Sequence, residues 1–109
     1  MTAKVLSEEY KCTVDKKQKV ASGGPYWFTG KCSDGANEYV YQTQIYEEPS
    51  EHGIKGLPKV SKLFVYKFEN GEQQRPAVME YDRTWALKPK TPEHTAVLNS
   101  LVKFLSKLP

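Results

Sequence analysis

The chain has 109 residues, and its 16 basic and 13 acidic side chains leave a formal net charge of +3. A chain of this length is typical of one domain that can bury a modest core without metal or disulfide staples. So small a positive excess does not by itself indicate nucleic-acid binding, and no run approaches the roughly 18–20 apolar residues of a membrane span.

The N-terminal segment is polar. Residues 1–10 lack the apolar stretch of a secretory signal peptide, so we expect a cytoplasmic protein. Residues 1–22 are predicted to be an N-terminal arm of uncertain structure, because a basic run at 16–19 interrupts their weak apolar pattern. The Ser-Gly-Gly-Pro sequence at 22–25 marks a turn, and residues 23–109 are predicted to form a single α+β domain.

The two cysteines, Cys12 and Cys32, are too few for a disulfide framework and do not form a Cys-x-x-Cys zinc motif. Two interpretations remain open at this stage. They are either two half-buried thiols in a reducing compartment or the two halves of one Cys12–Cys32 bridge.

Four segments are rich in β-favouring residues and are predicted to be strands: 26–32, 38–46, 60–69 and 76–81. In the second, the face that carries Tyr39 and Tyr41 is the better candidate for the core. The third has apolar residues on both faces, which predicts a central strand covered on both sides. Asn70-Gly71 is a strong turn signal after it.

A helix is predicted over residues 91–108. Thr91 can cap it, Pro92 suits its first position, and Glu93 complements the positive end of the helix dipole. An apolar stripe then follows at helical spacing, formed by Val97, Leu98, Leu101, Phe104, Leu105 and Leu108. We expect this stripe to pack on the sheet, and a partner-binding helix is the alternative. The predicted fold is an antiparallel sheet of about four strands with this helix on one face.

The polar groups concentrate in a turn-rich connection at residues 47–63 and in the Tyr-Asp-Arg-Thr-Trp segment at 81–85. Long connections of this kind are often functional. The predicted partner- or ligand-binding residues are His52, Lys55, Lys59, Lys62, Arg83 and Trp85. A structural lock between the two segments is predicted from Glu48, Glu51, Asp82 and Arg83.

The same residues argue against catalysis. His52 stands in no known catalytic frame, and no ligand spacing joins it to His94, the other histidine. We therefore predict no catalytic residue, no metal site and no cofactor. Gly53 and Gly56 with the nearby lysines leave a phosphate-bearing small molecule as an alternative ligand, although no Walker motif is present. Single-stranded nucleic acid is less favoured, because the helix is expected to cover most of the aromatic side chains.

Three segments together resemble a family of small uncharacterised proteins from bacteriophages and Gram-positive bacteria. They are residues 48–54 (Glu-Pro-Ser-Glu-His-Gly-Ile), 60–63 (Val-Ser-Lys-Leu) and 81–85 (Tyr-Asp-Arg-Thr-Trp). Thr84 stands where that pattern favours Gly, and Ala86 stands where an acid is usual. The resemblance implies a phage, prophage or host origin and carries no activity with it.

Small phage proteins often bind and block host machinery. The expected function is therefore a non-catalytic, phage-type accessory protein that inhibits a host macromolecule, such as a defence nuclease of the CRISPR type. A host protein is the expected partner. The alternatives are a binder of a nucleotide immune signal and, less favoured, a single-stranded nucleic-acid binder or a small hydrolase.

Overall fold

The structure is a computed structural model that describes residues 10–19, 25–46, 54 and 59–107. Within these ranges, seven antiparallel strands form one sheet and a helix lies on one of its faces. The elements are β1 (Lys11–Lys19), β2 (Tyr26–Ser33), β3 (Glu38–Ile45), β4 (Val60–Glu69), β5 (Glu72–Gln73), β6 (Met79–Asp82), β7 (Trp85–Leu87) and α1 (Pro92–Leu105). The strand order is β1-β2-β3-β4-β6-β7, and β5 pairs with β4.

The prediction of a sheet of about four strands is wrong, because three more strands join it and make the described part of the protein mostly β. β1 lies in the segment whose structure the sequence left open. Its alternation is broken because the register with β2 shifts between Val14 and Lys16. β5 and β7 have two and three residues, too few for any periodicity to indicate a strand.

One face of the sheet, called here the inner face, packs against α1. The predicted core face of β3 is confirmed, since Tyr39 and Tyr41 are both 1% exposed. Leu63 of β4 and Met79 of β6 extend this face, and Leu101 of α1 packs against it. Burial of such apolar area contributes about 25 cal/mol per Å², which makes this layer the main source of stability.

The helix begins as predicted. Thr91 is its N-cap and accepts a hydrogen bond from the His94 amide at 3.0 Å, and Pro92 is its first residue. Val97, Leu101 and Leu105 of the predicted stripe are buried, which confirms that the stripe packs on the sheet. α1 has 14 residues, and no helix in the described ranges is long and apolar enough to cross a membrane.

The opposite face of the sheet, called here the outer face, carries the alternate side chains of the same strands. β4 is central, as predicted, because β3 and β6 flank it. No helix or strand of the described ranges packs over its outer side, so the expected cover on both sides of β4 is not found there. The side chains that alternate with the core therefore form a surface.

β1 and β2 approach each other closely at Gly30. A Cβ atom on Gly30 would lie 1.9 Å from the Thr13 carbonyl oxygen and 2.7 Å from the Tyr41 hydroxyl oxygen. The Tyr41 hydroxyl donates a hydrogen bond to the same carbonyl at 2.7 Å. This bond anchors β1 to β3 across the backbone of β2, at a point where no side chain fits.

We expect Gly30→Ala to destabilise the protein by about 2–3 kcal/mol, because the added methyl group must push β1 away from β2. Urea unfolding followed by circular dichroism measures this loss. Gly35→Ala is the matched control: its φ is +97°, but nothing lies within 4 Å of the added atom. It should cost only about 1 kcal/mol for the backbone conformation. Equal losses in the two variants would contradict the close approach.

Candidate binding surface

An aromatic stripe runs along the outer side of β4. Phe64, Tyr66 and Phe68 form it, because they alternate along the strand with the buried Leu63 and Val65. All three rings are half-buried, so part of each ring meets solvent. The sequence had placed most aromatic side chains under the helix. The structure shows that this holds for the rings on β3 and fails for those on β4.

Two cations lie over the stripe. The Lys31 Nζ atom is 5.0 Å from the centre of the Phe68 ring, and the guanidinium carbon of Arg75 is 5.8 Å from the centre of the Tyr66 ring. Lys31 reaches the stripe from β2 across Val40, which pairs with both Lys31 and Tyr66. Cations so placed are attracted to the ring faces and keep their charge at the surface.

Charges of both signs surround these rings. Lys11 and Lys16 of β1 are paired with Ser33 and Thr29 of β2, on the outer side of the sheet. Glu38 and Glu80 are paired with Phe68 and Phe64, so each carboxylate lies directly beside the stripe. The outer face is therefore basic at its β1 edge and carries charges of both signs around the aromatic stripe.

The structure describes five of the residues that the sequence singled out: Lys59, Lys62, Asp82, Arg83 and Trp85. The others lie outside the described residues, namely Glu48, Glu51, His52 and Lys55. Their predicted roles, including the lock between the acids and Arg83, stay predictions.

Of these five residues, Lys62 and Asp82 pair with each other, whereas Trp85 packs against the core. The Lys62 Nζ atom lies 3.8 Å from the Asp82 carboxylate at one corner of the outer face. These side chains are 33% and 53% exposed, so the pair contributes little to stability but leaves Lys62 partly neutralised. Trp85 is half-buried and packs edge-on against Tyr81 at the margin of the core, with 5.1 Å between ring centres.

Arg83 forms the tip of the turn between β6 and β7. Its φ of 67° is in the left-handed region, and its amide donates a hydrogen bond to the Ser61 carbonyl at 2.9 Å. The Asp82 amide donates to the Thr84 carbonyl at 2.9 Å and closes the turn. Arg83 is exposed, so it can meet a partner, and its backbone holds the turn against β4. Lys59 precedes β4, and its carbonyl accepts a hydrogen bond from the Tyr46 amide at 2.8 Å.

A polar cluster that the sequence did not indicate closes the inner face at the start of α1. The Lys67 ammonium group donates to the Glu93 carboxylate at 3.2 Å and to the Asn37 amide oxygen at 3.1 Å. The Tyr39 hydroxyl donates a hydrogen bond to the same carboxylate. Lys67 is the sequence feature from which this cluster could have been predicted. It continues the inner-face alternation of Leu63 and Val65, and a charged side chain on a buried face needs an anionic partner.

The pKa shifts in this cluster follow from its contacts. Burial opposes ionisation of Glu93, but the hydrogen bonds from Tyr39 and Lys67 outweigh it and lower the pKa of the carboxyl group. Burial, followed by the bond to Glu93, raises the pKa of the Tyr39 hydroxyl. Burial lowers the pKa of His94, against the pull of the Glu93 charge. Lys67, Glu93 and Tyr39 satisfy one another's hydrogen-bonding groups. The cluster therefore fits a structural contact that holds α1 on the sheet better than it fits a catalytic centre.

A family model described as a domain of unknown function (DUF7678) matches residues 26–106. No curated protein and no solved structure matches the chain. The matched region contains the aromatic stripe, both cations over it and the Lys67 cluster, whereas β1 precedes it.

We expect Glu93→Gln to weaken the fold at neutral pH and to alter its response to acid. The pKa of Glu93 is lowered from its usual 4.5, so the carboxylate stabilises the fold above that value, and this contribution is lost as the pH falls through the lowered pKa. The stability gap between wild type and variant should therefore shrink as the pH falls below 4.5 and through the lowered pKa. Urea unfolding across this range measures the gap. Glu72→Gln, on the exposed β5, is the control and should leave the profile unchanged. A gap that stays constant would show that the carboxylate charge plays no part.

Proposed function

Since the chain belongs to the DUF7678 family of domains of unknown function, we propose from its structure that it is a non-catalytic binding protein that contacts a host protein through the outer face. This proposal rests on the observation that α1 covers only one of the two faces of the sheet. α1 buries the inner face, and the aromatic stripe on the other side stays partly open to solvent. Contiguous exposed apolar patches of this kind often mark interaction sites.

The composition of the outer face supports a protein partner. Aromatic residues and Arg are enriched at the centres of protein interfaces, where a few such side chains carry most of the binding energy. Here Tyr66 under Arg75 and Phe68 under Lys31 are candidates for that role.

The charge pattern disfavours nucleic acid on the same surface. Glu38 and Glu80 lie beside the aromatic stripe, where a stacked base would bring its phosphates close to a carboxylate. A protein partner can meet such a mixed pattern with complementary charges of its own, which gives specificity more than raw affinity.

The finer part of the proposal rests on the resemblance to phage proteins. We propose that the host partner is a component of a defence system, such as a nuclease of the CRISPR type, and that binding inhibits it. Lys62 and Arg83, at the corner of the outer face, would extend the contact from the stripe. The phosphate-binding alternative gains no support at this corner, because Lys62 already faces Asp82.

We expect Tyr66→Ala to weaken binding of the partner by about 30-fold, the effect of losing a hot-spot side chain worth about 2 kcal/mol. The partner is first captured from a host lysate by the wild-type protein and identified. It is then purified, and its Kd and its activity are measured with each variant. Lys31→Gln should show a smaller loss in the same direction. Thr95→Ala, exposed on α1, is the control and should bind like the wild type.

Three results would overturn the proposal. Wild-type affinity in both Tyr66→Ala and Lys31→Gln, each with an unchanged melting temperature, would remove the outer face as the binding surface. Binding of single-stranded oligonucleotides with no protein partner would replace the partner class. A melting-temperature rise with a nucleotide, and with no host protein, would favour the small-ligand alternative.

A further inference from the structure

Two thiols face each other across β1 and β2. Cys12 and Cys32 are directly opposite in the strand register, and their sulfur atoms lie 2.9 Å apart. Both cysteines are free. Opposite residues of antiparallel strands have Cα atoms about 4.5–5.5 Å apart, which is within the span of a disulfide. The two sulfurs can therefore join without a rearrangement of the strands.

Access to the pair is one-sided. Cys32 is fully buried, whereas Cys12 is half-buried and lines a cleft of 210 Å³ between the start of β1 and the C-terminal half of α1. The remaining lining residues are Tyr10, Ser100, Lys103, Phe104 and Lys107. Among the described residues that line the cleft, two side chains are basic and none is acidic. A small anionic molecule would reach Cys12 first and meet favourable charge there.

The contact between the thiols divides their roles. The hydrogen bond from Cys32 lowers the pKa of Cys12, although burial opposes this. The same bond, together with burial, raises the pKa of Cys32. The thiolate is the reactive form of cysteine, so the lowered pKa of Cys12 and its position in the cleft both favour it over the buried Cys32 as the attacking thiol.

We propose that Cys12 and Cys32 form a thiol–disulfide exchange site for small anionic disulfides of the glutathione-disulfide class. In the first step the Cys12 sulfur attacks one sulfur of the small disulfide, forms a mixed disulfide and releases one small thiolate. In the second step Cys32 attacks the Cys12 sulfur, the Cys12–Cys32 bond forms, and the second small thiolate leaves. The small disulfide is reduced to two thiols, which take up the two cysteine protons, and the cysteine pair is oxidised.

Oxidation would link β1 covalently to β2. In the reduced protein, β1 is an edge strand held to β3 by the Tyr41–Thr13 hydrogen bond and to α1 by the Tyr10 amide, which donates to the Ser100 hydroxyl at 2.9 Å. A covalent link adds a constraint that survives local opening of these bonds. This inference is independent of the proposed function, because the site lies on the inner side of the sheet and needs no protein partner.

The first experiment follows the reaction by mass spectrometry. Incubation of the wild-type protein with glutathione disulfide should yield the intramolecular disulfide, about 2 Da lighter, and release glutathione. Cys32→Ser should stop at the mixed disulfide with glutathione, because the second thiol is missing. Cys12→Ser should react at least about tenfold more slowly, because the remaining thiol is buried.

The second experiment tests the class of disulfide. Lys103→Gln combined with Lys107→Gln should slow the reaction with glutathione disulfide roughly three- to tenfold. It should leave the rate with the neutral 2-hydroxyethyl disulfide unchanged. High salt should reproduce the loss in the wild-type protein, which checks the charge effect without any substitution.

Further results decide the proposal. The oxidised wild-type protein should melt about 10 °C higher than the reduced form, and dithiothreitol should reverse the rise. A stable mixed disulfide in the wild-type protein, dimers linked through Cys12, or a Cys12→Ser variant that reacts at the wild-type rate would each overturn the paired site. Equal slowing of both disulfides by the lysine substitutions would overturn the anionic class.

Discussion

α1 has a single apolar stripe, and that stripe can bury one face of the sheet and no more. Its residues Val97, Leu101 and Leu105 pack on the inner face, and the other side of the same strands is left without a described layer. The helix therefore decides which rings are core and which are surface. Tyr39 is buried beneath it, whereas Tyr66, one strand away, faces outward. The proposed binding surface exists because of this one-sided cover.

Polar contacts hold the helix at its start and in its second half. At the start, Glu93 accepts hydrogen bonds from Tyr39 and Lys67, so the charged end of α1 is tied to β3 and β4. In the second half, the Ser100 hydroxyl accepts a hydrogen bond from the amide of Tyr10, the residue before β1. Apolar packing supplies most of the stability, but it is not directional. These hydrogen bonds select the position of the helix along the sheet and bring the edge strand β1 beneath it.

Local sequence alone determined the features that depend on near neighbours. The Thr91 cap needs only a hydroxyl three residues before the His94 amide, and the turn at Asn70-Gly71 needs only residues that tolerate a positive φ. The alternation in β3 identified its core face in the same way, because side chains of a strand point to opposite sides with a period of two. These predictions are confirmed, because each depends on a signal that neighbouring residues carry.

Tertiary structure decided everything that depends on which strands are neighbours. β1 has no clear pattern of its own and becomes a strand because β2 offers it a partner edge. The contacts of Lys67 with Glu93 and of Cys12 with Cys32 join residues 26 and 20 positions apart, and only the strand register and the docking of α1 bring them together. The side to which Phe64 turns is likewise invisible in a strand that is apolar on both faces. In such a strand, alternation separates the two faces, but only the packed helix determines which of them becomes the core.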